Sequence, residues 1–277
     1  MQRSSRKSAL PSTDMETSSC VQADLSGPVA TLTLNRPDRL NAMTVEMDRQ
    51  LRAAFDIASD SPQCRVIIIR GAGRGFCSGA DRDTAGGTQS PLSWQPCPAR
   101  LAEFRFGYLL ESPKPVIAAI HGAAIGVGLV LAACCDIRLA TCDAKLGFPY
   151  SRLGLVGEYG IAHLLPALLG SGIARELLLS GRLFSGTQAL DMGLASHVAD
   201  ADAFDALVRE YAEDLARNCS PRSMAVIKNQ LRDAAQQTFI ESLHRANREL
   251  DAARQSSDYA EARAARRDRR PPAFTGD

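Results

Sequence analysis

Neither sign of charge predominates in this sequence. Its 277 residues carry 32 lysines and arginines against 31 aspartates and glutamates, a formal net charge of +1. That balance argues against a general nucleic-acid or membrane-surface binder, which would need a basic excess. No uninterrupted apolar run is long enough to span a bilayer, so no membrane partner is expected. Eight cysteines are present (Cys20, Cys64, Cys77, Cys97, Cys134, Cys135, Cys142 and Cys219), and no two have CxxC spacing. They read as small buried thiols of a reducing cytoplasm rather than metal ligands. Met1–Cys20 is Ser-rich, basic at first, and without the apolar core of a secretory signal. It is expected to be a disordered tail.

The hydrophobic content of 45% and charged content of 23% are ordinary for a globular protein, and the chain is long enough to bury a large core. The most informative stretch is Lys114–Ala140, KPVIAAIHGAAIGVGLVLAACCDIRLA. Val116–Ile120 is a continuous apolar run, the pattern of a strand covered on both faces. Gly122, Gly126 and Gly128 permit tight turning and close backbone approach. Leu129–Ala133 then suit a helix sunk in the core. A helix that begins in such a turn aims unpaired N–H groups, and the positive end of its dipole, at whatever lies there. That arrangement stabilises an anion. It supplies nothing to move a proton, because no Asp, Glu or His lies between Gly122 and Cys135.

Around this stretch strands and helices alternate, an α/β pattern. Ser26-Gly27-Pro28 separates Val21–Leu25 from Val29–Leu34 as a hairpin. Thr44 is placed to cap a helix whose Met47, Leu51, Phe55 and Ala58 form a buried stripe. Cys64–Arg70 reads as a buried strand. The glycine-dense GAGRGFCSGADRD (Gly71–Asp83) follows, without the Gly-Lys-Ser/Thr ending of a phosphate loop. Thr84–Pro98 reads as a mobile loop and Arg100–Glu111 as a helix. Asp136–Ala140 and Ala144–Phe148 read as strands, and Tyr150–Gly170 as a loop and then a helix. Ala203–Arg217, Pro221–Ala235 and Thr238–Arg254 are amphipathic helices, followed by a last helix and a Pro-terminated tail. The expected division is a tail over 1–20, a core over 21–200, and a helical oligomerisation region over 201–277.

Six segments in this order carry a resemblance: LTLNRPDRLNAM, GAGRGFCSGADRD, KPVIAAIHGAAIGVG, CDIRLA, the loop before GEYG, and the terminal RRPPAFTG. Together they resemble the enoyl-CoA hydratase/isomerase (crotonase) superfamily, from about Val21 to Gly276. The resemblance implies a crotonase-like α/β spiral of β-β-α units with a C-terminal helical region. It implies a homotrimer or hexamer, and a substrate carried as a thioester on coenzyme A, with no further cofactor and no metal. It also implies the chemistry. A thioester that loses a proton at its α-carbon becomes an enolate, and two backbone N–H groups aimed at its oxygen stabilise the charge.

By motif position those donors are Ala80 and Val127. Valine keeps the N–H where the family more often has glycine, but it disfavours positive φ. Gly79, Asp81, Gly126, Val130 and Tyr150 fall at the acyl end of the site, and Asp81 is expected to hold its own loop. Arg36, Asp38, Arg39 and Leu40 fall on the loop that meets coenzyme A, where the two arginines could neutralise phosphates. The run Arg263, Arg266, Arg267, Arg269 and Arg270 reads either as further charge for the nucleotide or as a solvated helix face.

Hydratases of the family use two glutamates, one to activate water and one to protonate carbon. Those positions fall here on Val130 and Tyr150. Valine moves no proton. Tyrosine, with an unperturbed pKa near ~10, is a poor base at neutral pH, though it donates hydrogen bonds. Glu158 lies eight residues beyond Tyr150. Several relatives, including some enoyl-CoA isomerases, a dienoyl-CoA isomerase and a dehalogenase, carry a working acid at this loop position. The bland alternative is a surface glutamate. His121, His163, His197 and His244 are scattered and read as packing or surface residues. The expected function is 3-enoyl-CoA to 2-enoyl-CoA isomerisation in fatty-acid metabolism, with Glu158 as the single base. The alternatives are a non-standard hydratase (a lyase using Glu158 and Tyr150) and an acyl-CoA binder without turnover.

Overall fold

The structure, a computed structural model, describes residues 19–81 and 101–277. The expected tail as far as residue 18, and the expected loop over 84–98, lie outside the described residues.

The chain is built around one sheet. β1 (Val21–Asp24) and β2 (Val29–Leu34) form the expected antiparallel hairpin, with Val21 opposite Leu34. Beyond β2 every pairing is parallel. β3 (Val66–Gly71), β4 (Val116–Ile120), β6 (Ile137–Thr141) and β9 (His197–Ala199) complete the order β1-β2-β3-β4-β6-β9. Every residue of β4 is buried, because both faces of the sheet are covered.

α1 (Val45–Asp60) begins where Thr44 Oγ1 accepts the Met47 N–H at 3.1 Å, and it buries Met47, Leu51, Phe55 and Ala58 as their spacing requires. The segment expected as a helix over 100–111 departs from expectation. It is a 3-10 turn (Leu101–Glu103), then a short α2 (Gly107–Glu111). Phe106 between them has φ 64°, and a Cβ on Gly107 would stand 1.9 Å from the Leu101 carbonyl oxygen. A continuous helix cannot pass through that contact.

A second sheet, missing from the expectation, occupies the glycine turn. β5 (Ala123–Ile125) pairs in parallel with β7 (Lys145–Gly147), which pairs antiparallel with β8 (Leu183–Ser185). Three residues among glycines show no period, so β5 leaves no pattern to read. α3 (Val127–Cys134) follows and is buried at every position.

α4 (Ile161–Ser180) is long and apolar enough, by length and composition, to cross a bilayer. This corrects the expectation of no such segment, because Arg175 and Glu176 interrupt the apolar run and disguise it. The helix breaks at Gly170 (φ 75°, ψ 158°) and lays Ile161, Leu165, Leu169, Ala174 and Leu177 into the core. α5 (Gly186–Asp191) opens with a capping box between Ser185 and Gln188. α6 (Ala201–Asn218) covers the other face of the main sheet, packing Phe204, Val208, Ala212 and Ala216 on Val66, Ile68, Ile117, Ala119 and Leu139.

α7 (Pro221–Ala234), α8 (Phe239–Arg254) and α9 (Ser257–Asp268) form the C-terminal helical region. α7 is docked by a shielded ion pair, Lys228 Nζ to Asp136 Oδ2 at 2.7 Å. The tail turns back because buried Asp258 accepts the N–H groups of Thr275 and Gly276.

Candidate active site

The loop after β3 lies between two partners. On one side the Cys77 N–H donates to the Ala123 carbonyl (2.9 Å) and the Ile125 N–H to the Cys77 carbonyl (3.0 Å). On the other, the Met43 N–H donates to the Gly79 carbonyl (2.8 Å) and the Asp81 N–H to the Met43 carbonyl (3.0 Å). Extended chain alternates its hydrogen-bonding sides. The Ala80 N–H therefore faces away from Met43, and it donates to no described residue.

The second expected donor is positioned by the turn into α3. The Gly126 N–H donates to the Gly147 carbonyl of β7 at 2.9 Å, and Gly126 takes the left-handed φ of 54°. Val127 is not among the positive-φ residues, so valine there imposes no backbone strain. As the first helical residue it has no intrahelical acceptor for its N–H, and it donates to no described residue. A Cβ on Gly126 would meet nothing within 4 Å among the described residues. Gly128, two residues beyond Gly126, packs against Cys77 and draws the two donor segments together.

Val130 is fully buried in α3, and Tyr150 is 4% exposed. Tyr150 follows β7, three residues beyond the Gly147 that takes the Gly126 N–H. Its hydroxyl is buried and has no hydrogen-bond partner among the described residues. Burial first, then the Glu158 carboxylate and Tyr159, push its pKa above the ordinary tyrosine value, so it can act as a donor and not as a base. Glu158 is half-buried just ahead of α4, and its carbonyl accepts the Ile161 N–H at 3.1 Å. Burial raises its pKa, while the positive charge of Arg105 works in the opposite direction. Glu158 and Tyr150 are therefore within electrostatic reach of each other, and Glu158 is not a fully solvated surface residue.

Arg105 is a site residue that sequence reasoning does not reach. Its Nη1 donates to Tyr159 Oη at 3.0 Å. Its guanidinium lies 5.1 Å from the ring centroids of both Phe106 and Tyr159. Its Nε is 3.2 Å from Asp48 Oδ2, off the axis of a good hydrogen bond, so that contact is mainly charge on charge. One arginine between two phenylalanines carries no motif, and nothing in the sequence points to its partners.

The loop expected to meet coenzyme A forms a 3-10 turn over Pro37–Arg39, with Leu40 and Asn41 left-handed at φ 48° and 55°. Buried Asn41 fixes it by donating to the Ala72 and Gly75 carbonyls and accepting the Arg36 N–H. The Ser78 N–H donates to the Leu40 carbonyl at 3.0 Å, which joins this turn to the Ala80 loop. Asp81 pairs with Arg36 Nη1 at 2.7 Å, and the same Nη1 donates to the Ala42 carbonyl at 2.6 Å. Asp38 and Arg39 stand exposed on the turn. In the distal basic run, Arg270 grips Glu261 with both amines (2.5 and 2.8 Å), and Arg267 pairs with Asp268. Two of the five arginines of the run are thus paired with nearby carboxylates. Among the described residues no group of three or more His, Cys, Asp or Glu side chains could hold a metal.

A family model described as enoyl-CoA hydratase/isomerase matches residues 24–277. The chain belongs to the enoyl-CoA hydratase/isomerase family. A probable enoyl-CoA hydratase of Mycobacterium tuberculosis is 36% identical over 252 residues, covering 90% of this chain and 96% of its own. The 1,2-epoxyphenylacetyl-CoA isomerase of Escherichia coli is 34% identical over 261 residues, covering 90% of this chain and 95% of its own. Among solved structures, a probable enoyl-CoA hydratase/isomerase from Mycobacterium abscessus superposes with a TM-score of 0.82 at 34% identity, over 93% of this chain and 99% of that one. An enoyl-CoA hydratase from Bacillus anthracis superposes with a TM-score of 0.86 at 26% identity, over 94% of this chain and all of the other (100%). The α/β architecture is thus the crotonase fold, and the protein is an acyl-CoA enzyme of this family.

Proposed function

We propose that the protein isomerises 3-enoyl-CoA to 2-enoyl-CoA with Glu158 as its single base. One observation carries the reading. The two positions where a hydratase needs carboxylates hold a fully buried valine and a buried tyrosine, and a half-buried glutamate lies within electrostatic reach of that tyrosine. In this mechanism the thioester oxygen accepts the Ala80 and Val127 N–H groups. Glu158 removes a proton from C2. The electron pair of the C2–H bond moves towards C1, and the carbonyl oxygen takes the charge. The enolate then collapses: the C1–O double bond re-forms, a double bond forms between C2 and C3, and the C3–C4 π pair takes the proton back from Glu158 at C4. The base ends as it began. A dry wall of Val130 and Tyr150 raises the basicity of the carboxylate.

Coenzyme A would lie along the turn Arg36–Leu40, with Arg39 towards phosphate, while Arg36 is held by Asp81 and the Ala42 carbonyl and serves to fix the turn. Gly79, Asp81 and Gly126 would shape the acyl end. A second reading, enoyl-CoA hydration, is favoured by the names of the M. tuberculosis and B. anthracis relatives. The Tyr150 hydroxyl would then orient the water. The test is Glu158→Gln. Removing a general base costs about 10²–10⁴-fold, so the variant should lose that much activity on 3-enoyl-CoA while binding acyl-CoA as the wild type does. Undiminished turnover would remove Glu158 from the mechanism.

A further inference from the structure

We infer that Arg105 positions Glu158: it locks the turn Glu158–Tyr159–Gly160 by gripping Tyr159, and it places a fixed positive charge beside the base. The inference rests on Glu158 being that base. Arg105 is a positioning residue, since no step of the reaction above needs it to touch the substrate.

The turn that carries Glu158 needs holding. Tyr159 has φ 53° and Gly160 has φ 74°. Glycine adopts this region freely, but for a residue as bulky as tyrosine it is an outlier. Such conformations persist only where the surroundings over-determine them. Where the Glu158 carboxylate points depends on Tyr159 keeping this conformation.

The surroundings here are the core on which Tyr159 packs, the Phe106 ring 6.3 Å from its own, and Arg105. It holds the Tyr159 hydroxyl at 3.0 Å and lies over the Tyr159 ring at 5.1 Å. Arg105 is itself held, with its side chain 10% exposed. Asp48 of α1 pairs with its Nε, and Phe106, also left-handed at φ 64°, brings its ring to 5.1 Å from the guanidinium and 6.3 Å from the Tyr159 ring. A planar guanidinium can stack and donate in fixed directions at once, which an ammonium cannot do. The chain of contact runs from α1 through Asp48, Arg105 and Tyr159 to the base.

Among the described residues one charge acts on the base. Arg105 faces Glu158, and the Tyr150 hydroxyl is also within electrostatic reach of that carboxylate. Arg105 in turn faces Asp48, Glu158, Tyr159 and the thiol of Cys77. Cys77 lies in the loop that presents Ala80, so the same cation is within electrostatic reach of both base and donor loop. Burial disfavours the ionised carboxylate and Arg105 favours it. A base must be ionised to act. Without the cation, the acidic limb of the rate profile should move to higher pH.

The experiment is kcat and KM on 3-enoyl-CoA between about pH 5 and 9 for Arg105→Met, Arg105→Lys and Tyr159→Phe, beside wild type and Glu158→Gln. Arg105→Met should lower kcat at least tenfold and shift the acidic limb upward, with KM little changed. Arg105→Lys should restore the limb towards its wild-type position but not the full kcat, because it returns charge without the fork. Tyr159→Phe should lower kcat and leave the limb in place. If Arg105→Met does not fold, the Lys and Phe variants carry the test alone. Wild-type kcat and limb in Arg105→Met, or in both other variants, would overturn the inference. A drop in kcat with no movement of the limb in Arg105→Met would reduce Arg105 to packing and overturn it too. An active Glu158→Gln would instead sink the base assignment, and the two failures are read from separate proteins.

Discussion

Gly128 backs onto Cys77 so closely that a Cβ would stand 2.3 Å from the Cys77 carbonyl oxygen and 2.9 Å from its sulfur. The first turn of α3 is thereby pressed against the loop that leads to Ala80. This packing, together with the Cys77–Ala123 and Ile125–Cys77 backbone hydrogen bonds, sets the separation of the two proposed donors. Gly128→Ala should push them apart. Overpacking of this kind costs about 1–3 kcal/mol of stability, and a displacement of ~1 Å can cost ~10²-fold in rate. Thermal melting and steady-state kinetics should therefore both fall. Full activity in Gly128→Ala would show that this spacing is not critical.

Ala80→Pro deletes one donor. The Ala80 N–H serves no hydrogen bond to a described residue, so the deletion spares the contacts that hold the loop. Losing one such donor typically costs about 10²–10³ in kcat. The variant should melt close to wild type and lose that much turnover. A folded, fully active Ala80→Pro would rule out Ala80 as a donor.

The pH dependence has a definite sign. Burial places the pKa of Glu158 above its ordinary value, so the acidic limb of kcat/KM should lie above the usual glutamate value of ~4.3. For stability the same shift works the other way. A carboxyl whose pKa is higher folded than unfolded stabilises most below its unfolded pKa, and that contribution is lost as pH rises through the folded value. Glu158→Gln should then be at least as stable as wild type near neutrality, even as it loses activity. A clear drop in its melting temperature would contradict the idea that ionised Glu158 is a burden on the fold.

The exposed apolar side chains of the C-terminal region predict assembly. Ile227 and Leu231 on α7, and Phe239, Ile240 and Leu250 on α8, are all exposed in the single chain. Faces of this kind are normally buried between subunits. Light scattering should give three or six times 29.7 kDa. A monomer at micromolar concentration would contradict this.

The strongly periodic elements are legible in the sequence. The α1 stripe of Met47, Leu51, Phe55 and Ala58, its Thr44 cap, the hairpin and the all-apolar β4 follow directly from spacing and burial. β5 is not legible, because three residues cannot show a period. The broken segment ahead of α2 is hidden by its contact, since only the approach of Gly107 to Leu101 rules out a helix there. In the site, glycines mark the donor loops, while Glu158 stands out only against the family pattern. Arg105 leaves no mark at all. Its hydrogen-bond partner Tyr159 is 54 residues away, and a lone arginine carries no record of what it will touch.

The most direct measurement offers the wild-type enzyme 3-enoyl-CoA and 2-enoyl-CoA side by side. Absorbance of the conjugated thioester reports both its formation by isomerisation and its loss by hydration. A single carboxylate shuttling one proton between C2 and C4, with valine and tyrosine where water would be activated, predicts isomerisation much faster than hydration. Hydration much faster than isomerisation would contradict the proposed reaction and leave the hydratase reading in its place.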